Sequence, residues 1–147
     1  MNIASLAAAL AIASALVAAP ATAAEIGQIK VSKGQVSVDR NGQAIAGSVG
    51  LRLEAADVVK TGADGSAGIT MGDNSLLSIG PNSILALERF DFEPTTSQGR
   101  FDAQLQRGTL AVVSGRIAKQ SPQSMTLRTP AAALAVRGTE FVVSTHE

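Results

Sequence analysis

Residues 57–87 read DVVKTGADGSAGITMGDNSLLSIGPNSILAL, and three turn signals punctuate them: Gly62-Ala63-Asp64-Gly65, Gly72-Asp73-Asn74 and Gly80-Pro81-Asn82. Between the turns, apolar residues alternate with polar or small ones. Ala67, Ile69 and Met71 interleave with Ser66, Gly68 and Thr70, and Leu77 and Ile79 follow after the next turn. In an extended chain successive side chains point to opposite faces, so each short alternating run predicts a half-buried strand. Gly, Asp and Asn reverse the chain between runs, because they tolerate left-handed backbone or bond their own main chain. Strands of about five residues with turn signals at roughly ten-residue spacing predict an all-β domain.

The same pattern extends in both directions. Gln35-Val36-Ser37-Val38-Asp39 alternates, and Asn41-Gly42 after it is the sequence of a tight hairpin turn needing positive φ. Downstream, Phe101, Ala103 and Leu105 share one face, Gly108 interrupts, and Leu110 and Val112 share the next. Met125 and Leu127 lead into Thr129-Pro130, and Phe141 and Val143 close the chain. Residues 93–98 (EPTTSQ) and 118–124 (AKQSPQS) are expected as surface loops. The run 131–136 lies between Pro130 and Gly138 and is too short for a stable helix, so an extended segment buried on both faces is expected. Overall the spacing predicts one domain of short stacked antiparallel hairpins forming a twisted, solenoid-like sheet, with a two-sheet β-sandwich as the alternative. Four Phe and no Trp or Tyr favour thin stacking over a wide gap.

The 147 residues carry 12 Lys+Arg and 12 Asp+Glu, for zero net charge, and none of these lies in residues 1–24. All 14 glycines fall after residue 24, so the chain divides into an apolar leader, 1–24, and a Gly-punctuated body, 25–147. Ile3–Ala19 is an uncharged run, followed by Pro20 and by the small-x-small sequences Ala21-Thr22-Ala23 and Thr22-Ala23-Ala24. That arrangement predicts a signal peptide cleaved near Ala23-Ala24, a mature terminus at Ala24 or Glu25, a periplasmic body and no membrane attachment after cleavage. The chain has no Cys. Disulfides, thiolate metal sites, cysteine nucleophiles and a lipid anchor are thereby excluded. Balanced charge with no basic block argues against nucleic acid, because phosphate binding needs clustered Lys and Arg.

Catalysis finds little footing. His146, the single His, is second from the end, where a frayed terminus gives a general base no fixed geometry. Ser48, Ser66 and Ser75 have no His partner and no G-x-S-x-G context. A carboxylate-pair glycosidase normally offers aromatic platforms, whereas this body has only Phe90, Phe92, Phe101 and Phe141, of which Phe101 and Phe141 fit core positions. Asp57, Asp64, Asp73 and Asn74 lie on or beside successive turns, but their spacing is not that of an EF-hand, and turn formation accounts for them. No enzyme activity, cofactor or metal is therefore expected. Phe90-Asp91-Phe92, straddling the end of a long strand, is a candidate partner contact.

Four segments in order resemble the FecR domain, the family of the bacterial ferric-citrate regulator. They are Ala55–Ala67 (AADVVKTGADGSA), Met71–Ser83 (MGDNSLLSIGPNS), Gln106–Leu110 (QRGTL), and Thr129-Pro130 through Val136–Val143 (VRGTEFVV). The likeness covers about residues 26–143, and its blocks are a leading D-x-V-x-T-G, a loop of the D-G-S/N-S type (here the D-N-S loop Asp73-Asn74-Ser75), a strand-opening G-x-L and a closing T-P…V-R-G-T-x-F-x-V. The resemblance implies an extracytoplasmic β domain that binds or relays, without catalytic residues. The motif positions Thr61, Gly62, Gly65, Asp73, Gly108, Arg137, Gly138, Thr139 and Phe141 are expected to be structural. Gly138 is expected to provide a bend or positive φ, and Arg137 is a further possible partner contact. In the best-understood members the domain is the periplasmic part of a single-span regulator of a sigma factor. No sigma-binding segment precedes the apolar run here, so direct sigma-factor control is not expected. The chain stops at Glu147, where family members continue into further strands, so an edge strand or a truncated product is expected there. The expected function is an exported, non-enzymatic binding and signalling module that recognises another envelope protein. The alternative is a structural or assembly subunit of an envelope complex. The sequence sets no oligomeric state.

Overall fold

The computed structural model describes residues 24–135 and 140–145, together with residues 15, 17 and 18. The chain forms β1 (Glu25–Lys33), β2 (Val36–Arg40), β3 (Gln43–Ala46), β4 (Arg52–Glu54), β5 (Val58–Thr61), β6 (Ser66–Met71), β7 (Leu76–Ile79), β8 (Ile84–Glu93) and β9 (Gln98–Val113). After β9 come a short helix, α1 (Arg116–Gln120), a 3-10 turn (Pro122–Ser124), β10 (Met125–Arg128), β11 (Ala133–Ala135) and β12 (Glu140–Thr145). It is a single all-β domain. Among the described residues no helix is long and apolar enough to cross a membrane.

Hydrogen bonding joins the strands in the order β3-β2-β5-β8-β9-β7-β6-β1-β4, with β10 and β12 alongside β9 and β11 beyond β10. All ladders are antiparallel except that of β10 with β9. The sixteen-residue β9 holds the fold together. Its first part pairs with β8 and β10, and its last part pairs with β7 and β12. The change falls at Gly108, whose φ of +98 turns the strand from one half of the sheet into the other. The two halves are thus one curled sheet, continuous through β9, rather than the two separate sheets of a sandwich.

The alternation read from the sequence sets which side faces inward. In β6, Ala67, Ile69 and Met71 are buried while Ser66, Gly68 and Thr70 are not. Both halves contribute to one core: Ile29, Ile69, Leu77, Ile79 and Leu110 from one, and Val38, Val59, Leu85, Phe101, Leu105 and Leu127 from the other. Burying one such side chain stabilises by roughly 1.5–3 kcal/mol, so this cluster holds the domain together in the absence of disulfides.

The turns do different jobs. Asn41 and Gly42 have φ of 52 and 80, the two-residue hairpin expected of Asn-Gly, and they set the Arg40↔Gln43 register. The turn at Gly72 also closes a hairpin, with Asn74 at φ 69. The turns at Gly62 and Gly80 instead carry the chain between the two halves, since β5 pairs with β2 and β8 whereas β6 pairs with β1 and β7.

Two expectations require correction. Residues 118–124 are not a surface loop: Ala118 belongs to α1 and is buried with Ile117, and a 3-10 turn follows. The cap that starts this helix comes from Asp73, far away in sequence, so no local signal announces it. Residues 131–136 are extended where described, as β11, but not buried on both faces. Residues 131–134 are exposed, and among the described residues β11 pairs with β10 alone. Phe101 is fully buried, while Phe141 is half-buried against the edge of the core.

Candidate functional site

Most motif residues sit in two polar knots. In the first, Thr61 Oγ1 donates to the Gly80 carbonyl at 2.6 Å and accepts from the Ser83 N–H at 3.0 Å. The Gly62 N–H donates to the Gln35 carbonyl, and the Gly62 carbonyl accepts from Gly65 and Asn82. The two crossing turns are thereby tied together at one place. A Cβ on Gly65 would collide with the Gln35 carbonyl and lie 2.9 Å from the Gly62 nitrogen. A Cβ on Gly108 would fall 2.5 Å from the Ser83 Cα. Backbone here approaches backbone more closely than any side chain permits.

The second knot is built on Asp73, which is buried. Its carboxylate accepts from the Ser75 N–H at 3.0 Å, the Ser75 hydroxyl at 2.9 Å and the Ile117 N–H at 3.2 Å. Its carbonyl accepts from the Arg116 N–H, and Ser75 Oγ accepts from the Gly115 N–H at 3.0 Å. The D-N-S loop therefore satisfies the free N–H groups at the start of α1, whose own preceding residue, Gly115, has no side chain to do so.

Asp57 forms a third polar anchor. Its side chain is 1% exposed and receives Arg40 Nε at 3.0 Å, Arg40 Nη2 at 2.8 Å and the Glu54 N–H at 2.9 Å. The hydrogen bond to Asp57 raises the Arg40 pKa above its ordinary value, against the opposing effect of burial. Asp64 Oδ1 accepts from the Gln35 N–H at 3.3 Å. Among the described residues, no group of three or more His, Cys, Asp or Glu side chains is placed to hold a metal.

Phe90 and Phe92 lie on the same face of β8, and both are half-buried. Phe90 meets Phe101 edge-on, with centroids 5.3 Å apart and planes at 80°. The Arg116 guanidinium lies 5.0 Å from the Phe92 ring centre. Its Nη2 is held by the Pro94 carbonyl and the Ser97 hydroxyl. The two rings line an open groove of about 580 Å³ with Ile26, Gly72, Gln98 and Gly99. Glu25, Asp91 and Glu93 also line it. Arg52 pairs with Glu25 and Arg89 with Asp91, whereas Glu93 takes the Thr95 N–H. That bond lowers the Glu93 pKa below its ordinary value. The arrangement presents aromatic surface beside three carboxylates, two of them paired with arginines.

Sequence reasoning singled out Phe90 and Phe92 but not Ile26, Gly99 or Arg116, and it read Gly72 only as part of a turn; all four belong to other segments of the chain. Gly99 gave no signal of its own in the sequence: only strand pairing sets it opposite Phe92, where a Cβ would collide with the Asp91 carbonyl oxygen. Arg137, Gly138, Thr139 and His146 lie outside the described residues, as does the Ala23 side of the expected cleavage point. Comparison with known proteins places these observations in a family: the sequence profile described as FecR protein matches residues 57–147, from β5 onward. No curated protein and no solved structure matches the chain.

Proposed function

The chain belongs to the FecR protein family, whose members are signalling and regulatory modules, and from that premise we propose that it is an exported, periplasmic, non-enzymatic domain that recognises another envelope protein. The groove of Ile26, Phe90 and Phe92 carries this reading. Aromatic side chains in a concave site supply large contact area at low entropic loss, as at the energetic centres of protein interfaces. Glu93, which pairs with no cation among the described residues, favours a partner segment that offers an apolar side chain beside Lys or Arg. The motif residues then act as architecture. Thr61, Gly62, Gly65 and Gly108 fix the two crossing turns, and Asp73 fixes the start of α1, against which the β8–β9 hairpin presents its rings.

A pull-down from periplasmic extract tests the reading, with the exported domain as bait and thermal melts run in parallel. Phe92→Ser should abolish capture of the partner and lower the melt only modestly, because Phe92 packs half-buried against the margin of the core. Phe90→Ser should lower both, because it also removes the edge contact to Phe101. Unchanged capture by Phe92→Ser would refute the groove as the docking site.

A further inference from the structure

A second cavity, of about 280 Å³, adjoins the groove of Phe90 and Phe92 and shares Glu25, Ile26 and Gly72 with it. Beyond those shared residues it is lined by Gln28, Lys30, Thr70 and Asn74. Gly72 stands at the junction. Its N–H donates to the Ile26 carbonyl at 2.9 Å, and a Cβ on it would lie 3.4 Å from Phe90 Cε1, an ordinary contact. Its φ is outside the left-handed region, so its backbone conformation does not call for glycine. What the missing side chain leaves is open space where the two cavities meet.

Each cavity carries one charge that has no opposite partner among the described residues, and the two signs differ. In the groove, Glu25 pairs with Arg52 and Asp91 with Arg89, which leaves Glu93. In the second cavity, Lys30 Nζ donates to Gln28 Oε1 at 2.8 Å and meets no carboxylate. Gln28 Nε2 donates in turn to the Gly50 carbonyl at 3.1 Å. These bonds hold the ammonium in place without neutralising it. The backbone sets its position too: the β1–β6 register shifts between Ile29 and Val31, so Lys30 is the extra residue of a bulge, a device that re-aims a side chain.

Building on the groove reading above, we propose that the two cavities form one site for an extended segment of the partner protein, with Lys or Arg at one end, an apolar side chain within, and Asp or Glu at the other end. Charge complementarity selects this occupant. The basic end faces Glu93, the apolar side chain packs on Phe90 and Phe92, and the acidic end faces Lys30. Opposite charges at the two ends also fix the direction in which the segment lies, which an apolar groove alone does not do. At ~3.4 Å per residue, Lys30 to Ile26 spans ~14 Å and Phe90 to Glu93 ~10 Å, so about seven extended residues reach both charges.

Selection of phage-displayed random heptapeptides on the immobilised exported protein tests this. The enriched sequences should carry a basic, an apolar and an acidic residue in one fixed order, and on Lys30→Glu the acidic residue should give way to a basic one. Fluorescence anisotropy with an enriched peptide should show binding weakened about fivefold or more by Lys30→Glu, and recovered on that variant when the peptide's acidic residue is changed to Lys. Gly72→Leu, which fills the junction, should weaken binding as well, with melts verifying its fold. Lys30→Glu alters an exposed side chain and carries the test should Gly72→Leu fail to fold. No enrichment, enriched peptides without the acidic residue, or folded Lys30→Glu or Gly72→Leu variants that bind like wild type would overturn the proposal. Peptides that need Phe92 but not Lys30 would overturn it while leaving the groove reading intact, whereas peptides indifferent to Phe92→Ser would overturn both.

Discussion

Replacing Gly108 and Gly42 by alanine separates backbone strain from steric collision at two positions that share a left-handed φ. Gly42 has φ +80, and a Cβ there would meet nothing within 4 Å. Gly42→Ala therefore suffers only the conformational penalty of about 1–2 kcal/mol, less about 0.5–1 kcal/mol returned by the stiffer unfolded chain. Its net loss should be near 1 kcal/mol or less. Gly108 has φ +98 and carries the same penalty, but its Cβ would lie 2.5 Å from both Cα and Cβ of Ser83. Relief requires moving the corner of β9 away from the turn that Ser83 closes. That movement adds overpacking strain of about 1–3 kcal/mol and endangers the bond from the Thr109 N–H to Ser83 Oγ, a further ~1 kcal/mol. Gly108→Ala should lose about 3 kcal/mol in total. Urea unfolding followed by far-ultraviolet circular dichroism measures both variants, since the chain has no Trp or Tyr to follow by fluorescence. Equal losses for the two variants would refute the role given to Gly108 as the close-packed corner between the halves.

Asp57→Ala leaves the Arg40 guanidinium without its main partner and the Glu54 N–H without an acceptor, and should cost about 3 kcal/mol in a chemical melt, the lower end for a broken buried pair because Glu54 still lies 3.2 Å from Arg40. Asp73→Ala uncaps α1, and hydrogen exchange should show Arg116–Gln120 losing protection ahead of the core strands, with about 2 kcal/mol of global destabilisation. Mass spectrometry of the exported protein should find its first residue at Ala24 or Glu25, and retention of residues 1–23 in a membrane fraction would overturn the periplasmic reading.

The sequence by itself determined the fold class, because strand alternation and turn chemistry are local. Side chains two residues apart share a face whatever else the chain does, and Asn-Gly at 41–42 reverses the chain through its own backbone preference. It also marked Thr61, Gly62, Gly65, Asp73 and Gly108 as a pattern, without saying what they touch. Tertiary structure decided the rest. That the turns at Gly62 and Gly80 cross between halves while the turn at Gly72 closes a hairpin depends on which strands pair, and pairing energy is non-local. That residues 116–120 form a helix depends on a carboxylate more than forty residues away, which satisfies N–H groups that no neighbour can. The groove around Phe90 and Phe92 is likewise assembled from distant segments. Its members become neighbours only when burial of the core folds one long strand, at Gly108, into both halves of the sheet.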